Sequence, residues 1–83
     1  MKTKKAIYQL LLSYEKSYEE TKDLEELKTS LGNLILDIEN VTPVSPSYSS
    51  YLFQMKLDYE HMDRFNALHL VDSLKNFLER LEL

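Results

Sequence analysis

The chain's only two prolines, Pro43 and Pro46, stand within four residues of each other, and its single glycine, Gly32, stands apart from both. A sheet of several strands needs turn chemistry at every reversal, drawn mostly from glycine, proline, asparagine and aspartate. An 83-residue chain this poor in glycine and proline is expected to be helical. One interruption is obligatory, in "ENVTPVSPSYSSYLFQM", residues 39–55. Pro43 stops a helix before it, because proline disfavours helical geometry in the preceding residue. Ser45 and Pro46 start the next one, as an N-cap and a first helical residue.

Before that loop two apolar stripes run at helical spacing. Ile7, Leu10, Leu11, Tyr14 and Tyr18 share one face. Leu24, Leu27, Leu31, Leu34, Ile38 and Val41 share another, with Ile35 widening it. At 100° per residue the two faces point roughly 140° apart, so one straight helix would not bury both. "TKDLEE" supplies a break near residues 20–22, with Asp23 as N-cap and Glu26 three residues on, as in a capping box. Gly32 falls inside the second helix, where glycine costs about 0.5–1 kcal/mol relative to alanine. Close approach of a neighbouring helix is the expected reason.

After the loop, Tyr48, Tyr51, Leu52, Met55, Tyr59 and Met62 share a face. Ala67, Leu70, Val71, Leu74, Phe77, Leu78 and Leu81 share another, rotated by roughly 90°. Asp63 and Asn66 can both cap, which places a turn near residues 63–66. The alternative is a continuous helix about 50 Å long that buries its second face in a dimer. The expected fold is therefore all-α: one domain over residues 1–83, a small antiparallel bundle of four short helices built as two hairpins. Leu31 and Leu74 lie at the centres of their stripes and are expected in the core.

Charge and composition exclude several functions. The net charge is −4, concentrated in residues 23–42, where five acids face Lys28 alone. Nucleic-acid binding depends on basic groups that neutralise phosphates, so it is not expected. No apolar run approaches the ~18 residues of a membrane span. There is no cysteine, hence no disulfide or thiolate site. The opening "MKTKK" and its short apolar run lack a signal-peptide cleavage site. A soluble, cytoplasmic protein is the expectation.

Reactive constellations are sparse. Asp58 and His61 have the i, i+3 spacing of half a metal site, without the second half a di-metal bundle needs. No glycine-framed nucleophile or phosphate loop is present. No catalytic residue, metal or cofactor is expected, and the chain is read as a non-enzyme.

The aromatic residues stand out: six tyrosines and three phenylalanines, no tryptophan. Tyr14, Tyr18, Tyr48 and Tyr59 fit apolar stripes, whereas Tyr8, Phe53, Leu57 and Phe65 fall off them. Phe53 and Leu57 pair at i, i+4 on the side of helix three away from its main face, so they are either buried by a second neighbour or exposed. Exposed aromatics on a rigid helix are what partner surfaces use. Tyr48, Tyr51, Phe53 and Leu57 are therefore the candidate partner-binding residues. In element order the chain is similar to the immunity proteins of pediocin-like bacteriocins, small cytosolic four-helix bundles. It departs from them in ending on helix four at Leu83, where that family carries a C-terminal tail. Protein binding of the immunity or antagonist kind is the expected function, with a second copy of the chain as another partner. One alternative is an acidic inhibitor filling an enzyme's nucleic-acid site with Glu15, Glu19, Glu20, Asp23, Glu25 and Glu26. A helix-turn-helix regulator ranks last, because helix four carries Lys75 and Arg80 against Asp72, Glu79 and Glu82.

Overall fold

Four helices follow one another: α1 over Lys4–Thr21, α2 over Leu24–Val41, α3 over Pro46–Glu60 and α4 over Ala67–Arg80. The computed structural model describes residues 2–81, so the expected end of the last helix at Leu83 lies outside them. Each boundary has a local cause. Thr3 caps α1, its hydroxyl accepting from the Ala6 N–H at 3.1 Å. Lys22 ends α1 in the left-handed region (φ 57°), and its N–H donates to the Tyr18 carbonyl. Asp23 then caps α2, accepting from the Glu26 N–H at 3.1 Å. Only half of the capping box forms, because the Asp23 N–H turns back to the Thr21 hydroxyl instead. At the central loop α2 stops at Val41, two residues before Pro43, and Ser45 caps α3 through the Tyr48 N–H at 3.2 Å.

The turn between α3 and α4 is held by Asp63 and Asn66, though not as a simple helix cap. Asp63 Oδ1 accepts from the N–H groups of Phe65 and Asn66, while Asn66 Oδ1 accepts from the Asp63 N–H at 2.8 Å. This reciprocal pair tightens residues 63–66 and separates two helices that composition alone could have joined. The longest dimension is 35 Å, shorter than the roughly 50 Å of a continuous helix from the loop to the end.

Neighbours follow chain order around the bundle, and α4 closes back onto α1. The core takes Ile7, Leu11 and Tyr18 from α1, five residues from α2, and Ala67, Leu70, Val71, Leu74, Phe77 and Leu78 from α4. Leu31 and Leu74 are fully buried, as their stripes predict. Among the described residues no polar or charged side chain is fully buried. Gly32 has the expected role: a Cβ there would stand 2.6 Å from the Tyr59 hydroxyl of α3. That hydroxyl donates to the Lys28 carbonyl at 2.8 Å, tying α3 to α2. Lys75 of α4 and Glu15 of α1 form an ion pair at 2.7 Å across the closing seam.

Helix α3 is the exception. It gives the core only Met55, with Met62 following in the turn. Tyr48, Leu52 and Tyr59 of the expected face are half-buried against the core, and Tyr51 is exposed.

Candidate functional site

Because α3 and α4 are antiparallel and α3 sinks little into the core, a groove remains between them. Its volume is about 450 Å³. Tyr48, Tyr51, Met55 and Asp58 line it from α3, and His69, Ser73, Phe77 and Arg80 from α4. Tyr51 stands opposite Phe77 and Arg80 at one end, and Asp58 and His69 both line the rest of the groove.

The aromatic wall is ordered by ring contacts. Tyr48 meets Phe77 edge to face with centroids 5.9 Å apart, and Tyr51 tilts onto the same ring at 6.1 Å. Both lie in the range where aromatic pairs attract beyond simple burial. Arg80 donates to the Tyr51 hydroxyl at 3.0 Å, so the exposed ring is held at both its face and its tip. At the far end Gln54 donates to Asp58 at 3.1 Å, an i, i+4 bond along α3. The result is an apolar, aromatic trough with a cation at one end and a carboxylate at the other.

The four candidate residues fall on two sides of α3. Tyr48 and Tyr51 stand together in the groove. Phe53, 65% exposed, and the half-buried Leu57 do not line it, since Phe53 lies roughly 160° from Tyr51 around the helix. The choice between burial and exposure thus resolves for Phe53 as exposure. Phe65 and Leu68 are also exposed, in and just after the α3–α4 turn. Sequence reasoning missed the α4 wall. Its signal was a polar stripe at His69, Ser73, Asn76 and Arg80, spaced i, i+4, i+7 and i+11 beside the core face.

Two other regions have structural uses. A larger, more open recess of about 760 Å³ lies between the start of α1 and the end of α4. There the Tyr8 hydroxyl donates to Glu79 and Lys4 donates to the Leu81 carbonyl. That bond to the Glu79 carboxylate holds the Tyr8 phenol above its ordinary pKa. Half of the acidic cluster is likewise engaged: Glu15 pairs with Lys75, Asp23 caps α2, and Glu26 accepts from Ser17. Asp58 lines the groove while His61 caps the end of α3 outside it. Among the described residues no three His, Asp or Glu side chains are grouped to hold a metal ion, and no helix is long and apolar enough to cross a membrane.

No family model, curated protein or solved structure matches the chain.

Proposed function

We propose that the protein acts without catalysis, by binding another protein in the groove between α3 and α4, as immunity and antagonist proteins act. The observation that carries this reading is the position of Tyr51. It is half-exposed, yet fixed by Phe77 and Arg80 at the rim of an aromatic groove. A tyrosine held in place loses little entropy on binding and offers a large amphipathic area, which is why such residues recur at interface hot spots. Tyr48 extends the same wall. Phe53 and Leu57 stand on the other flank of α3, outside the groove lining, and are not needed for this contact. The acidic-inhibitor alternative has less support, because Glu15, Asp23 and Glu26 are committed within the bundle.

A photo-crosslinking amino acid at position 51, compared with one at the exposed Lys16 of α1, tests the reading in the native host. An adduct of defined mass from position 51 and not from position 16 is the expected result. An adduct from position 16 with none from position 51 would place the contact on another face.

A further inference from the structure

The groove has opposite charges at its two ends, and the α3 residues that mark those ends, Tyr51 and Asp58, are seven apart. Arg80 is fixed beside Tyr51 by a 3.0 Å hydrogen bond. Asp58 follows Tyr51 by seven residues, about 10 Å along the axis of α3. Phe77 and Met55 line the trough between them. On any α-helix laid along this trough, residues i and i+7 are also about 10 Å apart and share a face with i+3 and i+4.

We infer that the occupant is a helical segment of a partner protein with a carboxylate and a cationic side chain seven residues apart, bracketing two apolar residues at i+3 and i+4. This rests on the protein-binding reading above. The carboxylate sits on Arg80, whose guanidinium has further N–H donors beyond the one given to Tyr51. The cation sits on Asp58, which keeps acceptor capacity beyond its bond from Gln54. The apolar pair lies between them, over the stretch lined by Met55 and Phe77. A rod-shaped occupant uses both charged ends, whereas a compact ligand reaches one. A second copy of this chain does not supply the pattern, because none of the described helices pairs an acid and a base at i, i+7 with apolar residues at both positions between.

The polarity can be read directly with three probe peptides, each a sixteen-residue alanine-based helix with Leu-Phe at i+3 and i+4. One has Glu at i and Lys at i+7, the second has Lys and Glu exchanged, and the third has Gln at both. Each carries a nitroxide at its N-terminus and is titrated into the full ¹⁵N-labelled protein. The two charged peptides are expected to bind at least fivefold tighter than the Gln peptide and to lie in opposite directions. The Glu-first label should broaden the Ser47–Arg80 end, and the Lys-first label the Asp58–His69 end. Asp58→Asn and Arg80→Gln should each reduce the advantage over the Gln peptide. Equal affinity for all three, or one direction for both charged peptides, overturns the inference while leaving a groove that binds apolar helices. If none of the three perturbs groove resonances, the inference fails and the groove reading fails with it.

Discussion

At the scale of single residues, Gly32 and Tyr59 show how one small side chain fixes two helices. In an open helix, Gly→Ala stabilises by about 0.5–1 kcal/mol. Here the new methyl would meet the Tyr59 hydroxyl at 2.6 Å, and moving that ring breaks its bond to the Lys28 carbonyl. Losing such a bond costs about 0.5–1.5 kcal/mol, which cancels or exceeds the propensity gain. Gly32→Ala should therefore be neutral or destabilising by about 1 kcal/mol in urea unfolding. In a Tyr59→Phe background the hydroxyl clash is gone and only the ring carbon, 3.2 Å from the new methyl, must give, so the same substitution should be more favourable than in the parent by about 0.5–1.5 kcal/mol. A stabilising Gly32→Ala in the parent protein would mean that the Tyr59 contact is absent. Leu31 and Leu74 are fully enclosed, so truncating either to alanine should cost about 2–5 kcal/mol. Thermal midpoints within a degree or two of the parent would contradict the assigned core.

Among the elements, α1, α2 and α4 were legible because each has a single apolar stripe, and Asp23 marked the start of α2. α3 was legible as a helix but not as a surface. Its apolar residues extend most of the way round, so periodicity could not show that only Met55 would be enclosed. Nor could it show the groove, whose α4 wall depends on a register set by packing between helices. The ion pair between α1 and α4 was equally hidden, joining residues sixty apart. Its effect on stability has a definite sign. The hydrogen bond to Glu15 raises the Lys75 pKa in the folded state, and the bond to Glu79 does the same for Tyr8. Folded-state values above the unfolded ones mean stability that is complete below about pH 10 and lost as pH rises through the folded values. The thermal midpoint should fall in that alkaline range, and fall less in Lys75→Met with Tyr8→Phe. An identical alkaline fall in the double variant would assign the loss to other groups.

For the whole molecule, three helices build a closed apolar core and the fourth is spread across it with an aromatic flank left outward. Fold and binding overlap at Met55 and Phe77, which serve the core and line the groove, whereas Tyr51 is exposed and adds little to the core. Tyr51 and Phe53 let the contact be located, because they sit on opposite flanks of α3 and both are exposed. With the partner captured at position 51, its equilibrium affinity for Tyr51→Ala and Phe53→Ala is the deciding measurement, with melting recorded for each. Both variants should melt within a few degrees of the parent. Tyr51→Ala should bind more than tenfold weaker, a loss of about 1.4 kcal/mol or more, and Phe53→Ala should bind as the parent does. Unchanged binding by a folded Tyr51→Ala would contradict the groove as the site of contact, and weakened binding by Phe53→Ala would move that contact to the outer flank of α3.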